Sequence, residues 1–223
     1  GAYCAGSTAT APVIYLTASD AGATYQLYNG VTPMGSTITG TGLPVSFGTQ
    51  TMAGTYYAIA NPGAGIGCQL TMAGTATVAI NALPTAYGVT GGGNYCTGGT
   101  GVAVGLGYGA AGITYNLMNG AAVATTAAGA NASLSFGNIT ATGTYSVLAT
   151  NSATGCTNAM VGTVTVGTVN PAPAVAVTGG GSFCAGAAGV AVGLGTSTSG
   201  VSYQLYNGSS AVGSALAGTG SGL

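Results

Sequence analysis

One set of motifs recurs along the chain in a fixed order, at a period near 88 residues, and this constrains the fold more than any other feature. Gly91-Gly92-Gly93-Asn94-Tyr95-Cys96 returns as Gly179-Gly180-Gly181-Ser182-Phe183-Cys184, and Gly1-Ala2-Tyr3-Cys4 is a shortened first copy. Tyr25-Gln26-Leu27-Tyr28-Asn29-Gly30 returns as Tyr115-Asn116-Leu117-Met118-Asn119-Gly120 and again as Tyr203-Gln204-Leu205-Tyr206-Asn207-Gly208. Gly54-Thr55-Tyr56 matches Gly143-Thr144-Tyr145, and Gly67-Cys68 matches Gly155-Cys156. A unit of this length exceeds the 20–50 residues of a solenoid repeat and suits a small sandwich of sheets. Two full units and about half of a third are present. The domains expected are 1–84, 85–173 and 174–223, the last being the N-terminal part of a repeat.

Each unit reads as all-β. Tyr25 and Leu27 alternate with Thr24 and Gln26, as in a half-buried strand. Asn29-Gly30 then predicts a type I′ hairpin turn. Tyr56, Ala58 and Ala60 alternate, as do Val102, Val104 and Leu106, and their counterparts in the other units. Asn81-Ala82-Leu83-Pro84 and Asn170-Pro171-Ala172-Pro173 follow the last strand of each full unit. Proline fixes φ and removes a ladder donor, so these segments read as short, stiff connectors within a rod of domains. The glycine triplets read as inter-domain turns.

Charge decides which functions are open. The chain has no Lys, Arg or His, and its one acid is Asp20, placed in a turn-like Ser19-Asp20-Ala21-Gly22. General acid/base catalysis, carboxylate-caged cations and phosphate neutralisation all lose their usual groups. No catalytic residue, metal site, cofactor or nucleic-acid partner is expected, and the chain is not read as an enzyme. Gly, Thr, Asn and Tyr interrupt every apolar stretch, so no transmembrane segment is expected either. With no start methionine or signal peptide, the sequence reads as an excerpt of something longer.

Five cysteines would leave one unpaired, but each full unit carries one early and one late cysteine. Pairing within units gives Cys4–Cys68 and Cys96–Cys156, with Cys184 bonded to a cysteine beyond the chain. Pairing between neighbours, such as Cys68 with Cys96, is the rival. Either requires an oxidising, extracellular compartment. In-unit bonds would leave only about 25 residues of each unit free to extend under tension, or about 80–90 Å.

In these motifs the chain resembles the Ig-like repeats of giant secreted adhesins of Bacteroidetes-type bacteria. That resemblance implies tandem Ig-like β-sandwich domains, export by the type IX route, and a role in adhesion or cell-to-cell contact at the cell surface. The chain departs from an antibody-type domain in having no Tyr-x-Cys corner, since Tyr56 and Tyr145 lie 12 and 11 residues before their cysteines. Tyr25, Tyr115 and Tyr203 are expected in the core. Tyr28, Met118 and Tyr206 fall on the opposite strand face and are the candidate surface contacts. The function expected is that of a structural module of an adhesive filament bundled with identical copies, because near-zero charge favours association. The alternative is an adhesin module that recognises a glycan or a host surface.

Overall fold

The computed structural model describes residues 1–62, 67–169 and 174–223. The first repeat forms β1 (Ala2–Cys4), β2 (Val13–Leu16), β3 (Thr24–Asn29), β4 (Thr32–Thr39), β5 (Val45–Thr49), β6 (Gly54–Asn61), β7 (Leu70–Thr71) and β8 (Ala76–Asn81). The second forms β9 (Val89–Gly91), β10 (Gly93–Cys96), β11 (Val102–Gly109), β12 (Ile113–Asn119), β13 (Ala122–Ala128), β14 (Ala132–Ile139), β15 (Gly143–Asn151), β16 (Thr157–Ala159) and β17 (Val164–Val169). The third contributes β18 (Val177–Gly179), β19 (Val192–Leu194), β20 (Ser202–Asn207) and β21 (Ser210–Ala217). By its contacts the chain gathers into two compact units, Gly1–Tyr95 with Thr100–Gly167, and Cys96–Gly99 with Thr168–Leu223.

The architecture is a tandem Ig-like β-sandwich. In the second repeat one sheet runs β10-β17-β15-β12-β13, and the facing sheet runs β14-β11-β9. The first repeat repeats the plan with β1-β8-β6-β3-β4 facing β2-β5. Alternation places the core between the sheets. Val104 and Leu106 from one sheet pack with Tyr115, Leu117, Tyr145, Val147 and Val166 from the other, all nearly free of solvent contact. Full burial of one such Leu or Val contributes about 1.5–3 kcal/mol, which matters in a chain rich in Gly and Ala. Tyr25 and Tyr115 are buried as expected, and their hydroxyls accept hydrogen bonds from the Asp20 and Ala110 amides at 2.8 and 3.0 Å. Tyr203 makes the same bond to the Thr198 amide at 2.9 Å but is only half-buried.

Three local expectations are corrected or refined. The hairpin after β3 turns on Gly30-Val31, because Asn29 still pairs with Thr32. Only the first turn residue, Gly30 at φ +58°, has positive φ, so the turn is type II′ and not I′. Asn29 is thereby free to donate to the Ala53 carbonyl at 3.1 Å, closing the corner that leads into β6; Asn119 does the same to Thr142 at 3.3 Å. A tyrosine corner also forms, without the Tyr-x-Cys pattern that the sequence lacks. Tyr56 and Tyr145, at the start of β6 and β15, each donate 2.7 Å hydrogen bonds to the carbonyl four residues upstream, Met52 and Ala141.

The glycine triplet, third, is no inter-domain turn. It carries the first strand of the second repeat from one sheet to the other: β9 pairs with β11, and β10 pairs with β17. Gly91, Gly92 and Gly93 all have positive φ (+87°, +77° and +123°). A Cβ on Gly91 would lie 2.1 Å from the Ala103 carbonyl oxygen, so the crossover excludes any side chain there. Gly179 takes the same conformation against Ala191 in the third repeat, at φ +86°. There Leu205 is 42% exposed, whereas its equivalents Leu27 and Leu117 are 1% and 0% exposed. Leu223 aligns with Leu134, and among the described residues no counterparts of β14, β15 and β17 pack beside Leu205.

Candidate functional site at the junction of neighbouring repeats

The chemistry-bearing residues of this nearly uncharged chain are its cysteines, and local structure fixes where each one points. Successive strand residues face opposite ways. Tyr3 is buried and its hydroxyl donates to the Thr51 carbonyl at 2.5 Å, so Cys4 turns away from the core. Tyr95 makes the matching bond to the Thr140 carbonyl, ahead of Cys96. A tight turn follows every early cysteine. The amides of Ser7, Gly99 and Ala187 donate to the carbonyls of Cys4, Cys96 and Cys184 at 3.1, 2.8 and 2.9 Å. Gly6, Gly98 and Gly186 supply positive φ at the third turn position (+80°, +84° and +85°), the geometry of a type II turn. All three early cysteines are thus presented by one device.

The late cysteine lies at the other pole of its own sandwich. Cys4 is aligned with Asn81 at the end of β8, whereas Cys68 precedes β7, whose Leu70 pairs with Ala60 at the far end of β6. In the second repeat Cys96 leads into Thr97, whose amide donates to the carbonyl of Val169 at the end of β17. Cys156 follows the turn at the opposite end of β15, beside Asn151, whose amide donates to the Cys156 carbonyl at 2.8 Å. A nine-residue strand such as β15 spans about 30 Å. Disulfide-bonded Cα atoms lie within about 7 Å of each other.

That geometry overturns the in-unit pairings Cys4–Cys68 and Cys96–Cys156. The bond formed is Cys4–Cys156, with Cα atoms 5.5 Å apart and a sequence separation of 152. The rival Cys68–Cys96 bond is not formed either; Cys68, Cys96 and Cys184 are free and exposed. Cys4 stands at the pole where the first repeat ends, and Cys156 at the pole where the second begins, which is why these two meet.

The connector beside this bond is held in place. Pro84 is buried, and its carbonyl accepts from Asn158 Nδ2 at 2.7 Å. The Val161 amide donates to the Tyr87 carbonyl and the Val89 amide to the Val161 carbonyl, both at 2.9 Å. The Tyr87 ring packs on Tyr108, centroids 5.1 Å apart. The first and second repeats are therefore joined by a proline connector, by the Asn158–Pro84 hydrogen bond and by a disulfide, while the Val161 bonds hold the connector's continuation within the second repeat. The second connector, Asn170-Pro171-Ala172-Pro173, lies outside the described residues.

The candidate contact residues are not gathered into one place. Tyr28 is half-buried and stacks on Tyr57 across the β3–β6 pair, with centroids 5.5 Å apart and planes 13° from parallel. Met118 is half-buried on the matching face of the second repeat, opposite Ser146, and Tyr206 is exposed in the third. Among the described residues no group of three potential ligands could hold a metal, and no helix is long and apolar enough to cross a membrane. Burial pushes the Tyr56 phenol above its ordinary pKa, a rise opposed by its hydrogen bonds with Asn29 and Met52.

No family model matches the chain, and no curated protein matches it. Among solved structures, the fibronectin(III)-like modules of Clostridium thermocellum CbhA are 13% identical, over 75% of this chain and 89% of that one, with a TM-score of 0.34. The human OSCAR ligand-binding domain is 14% identical, over 69% and 84% of the two chains, with a TM-score of 0.26.

Proposed function

We propose that this chain is a structural stretch of a long extracellular filament, in which stapled Ig-like repeats supply length and lateral packing of identical copies supplies cohesion. The Cys4–Cys156 bond supports this most directly, because it joins one repeat to the next. Such a bond belongs to an oxidising compartment. A surface on which Asp20 is the one charged side chain adds to it: copies feel little long-range repulsion that would keep them apart. With the repeat motifs taken into account, we place the filament on the surface of a Bacteroidetes-type cell, exported by the type IX route and acting in adhesion or cell contact. The domains 1–84, 85–173 and 174–223 are its building blocks, and it performs no catalysis.

Sedimentation of the whole chain at rising protein concentration tests the bundling. Growing assemblies whose size changes little with salt are expected, whereas a single monomeric species at high concentration would refute lateral packing. The Tyr28–Tyr57 stack favours a second reading, recognition of a glycan ring on that sheet face. Binding on a glycan array that is lost in Tyr28→Ala or Tyr206→Ala would establish it. The stack has no counterpart at Met118 and Ser146, which is why we rank this reading below the first.

A further inference from the structure

Resting on the filament reading above, we infer that Cys4–Cys156 is one link of a continuous series, in which the early cysteine of every repeat bonds the late cysteine of the next. The observed bond joins one early to one late position, and the remaining cysteines occupy repeat-equivalent places. Cys96 is held by the same aromatic anchor and the same type II turn as Cys4, at the pole where its repeat ends, and it is free and exposed. Cys68 is a late cysteine, also free and exposed. The partner of Cys96 is the late cysteine of the third repeat. Leu223 occupies the place of Leu134: a Cβ on Gly193 would lie 2.2 Å from its oxygen, as one on Gly105 would lie 2.3 Å from that of Leu134. That partner therefore falls about 22 residues past Leu223, the spacing from Leu134 to Cys156. By the same rule Cys68 takes the early cysteine of a repeat preceding Gly1.

Each link forms when two thiols lose two protons and two electrons to make the S–S bond. The electrons pass to the disulfide of a dithiol–disulfide oxidoreductase of the oxidising compartment, through a mixed disulfide, and leave it as a dithiol.

A series of this kind has a mechanical consequence that in-repeat bonds lack. A covalent route enters a repeat at its late cysteine, runs 28 positions to the next early cysteine, and then skips ahead through a disulfide. Cys68 to Cys96 and Cys156 to Cys184 are both such segments. Two routes interleave, one through odd and one through even bonds, and each advances two repeats per segment. With every sandwich unfolded, two repeats could lengthen to only about 95 Å, against roughly 600 Å for their 176 residues with the bonds reduced. The array would resist stretching even when its domains melt.

Two lengthened versions of the whole chain test this. In one, residues 135–169 are copied after Leu223 to complete the third repeat. In the other, residues 85–180 are copied before Gly1 as a complete additional repeat that includes β9, so the result does not depend on folding of a half-repeat. Each is produced in an oxidising compartment, alkylated, cut with chymotrypsin and mapped by mass spectrometry without reduction. Cys96 is expected to be joined to the appended cysteine in the first chain, and Cys68 to the added early cysteine in the second, with Cys184 alkylated in both. Any in-repeat pair, a Cys68–Cys96 bond, or disulfides between two molecules at these positions would overturn the inference, as would Cys68 remaining alkylated beside its complete neighbour. Bond mapping is blind to lateral association, so this result and the sedimentation result fail independently.

Discussion

Replacing Cys156 by alanine is expected to destabilise the first repeat, although the residue belongs to the second. When the first repeat unfolds alone, the bond still ties Cys4 to the folded second repeat, and the connector ties Pro84 to the edge strand β16 through Asn158. The unfolded segment is then a closed loop of about 80 residues, and closing such a loop contributes about 4.5 kcal/mol in the chain-entropy account. An in-repeat bond would contribute about as much, so the location of the loss carries the discrimination and its size does not. Amide exchange separates the repeats. Peptides covering β3 and β6 should exchange about a thousandfold faster in Cys156→Ala, at sites that exchange by unfolding of the first repeat. The small cavity left at the buried Cys156 acts only on the second repeat and leaves those peptides clean. Cys4→Ala should reproduce the effect, and the double variant should add nothing to it in the first repeat. If exchange in β3 and β6 were unchanged in Cys156→Ala, while β12 and β15 accelerated, coupling between repeats would be refuted.

Tyr145→Phe removes the hydroxyl that bonds the Ala141 carbonyl and should cost about 1–1.5 kcal/mol, read as a lower denaturant midpoint. Tyr56→Phe should cost the first repeat a similar amount. Gly91→Ala meets both positive φ and the Ala103 oxygen at 2.1 Å, so it should unfold or displace the β9–β11 pair, whereas Gly98→Ala, with open space around it, should lose only about 1–2 kcal/mol; thermal melting of the two variants compares them. Stability should fall as pH rises above about 10. The folded state holds the Tyr56 proton more tightly than the unfolded chain does, so that contribution is complete below the unfolded phenol pKa and is lost through the folded one. A denaturant midpoint that rose above pH 10 would contradict that sign.

Much of the sandwich could be read from local pattern. Alternation at Tyr25-Gln26-Leu27 and Val102-Ala103-Val104 reports which side chains face inward, and that property belongs to each strand alone. The turn type was less legible. Asn-Gly suits both central places of a I′ turn, yet pairing of Asn29 with Thr32 moves the turn one residue on, because Asn29 is needed at the Ala53 corner. The glycine triplet likewise showed a need for positive φ without showing that two sheets compete for the strand.

The cysteines mark the division most sharply. By itself the sequence determined that the chain is an all-β tandem array, that it lacks the groups for acid/base chemistry, and that each full repeat has one early and one late cysteine. It could not determine which of them meet. Counting one of each per repeat pointed inward, since sequence reports order and spacing but not the pole of a sandwich at which a residue emerges. Only the tertiary structure decided that, because strand direction sends the end of β1 and the start of β7 to opposite ends of one repeat, and brings Cys4 against Cys156 of the next.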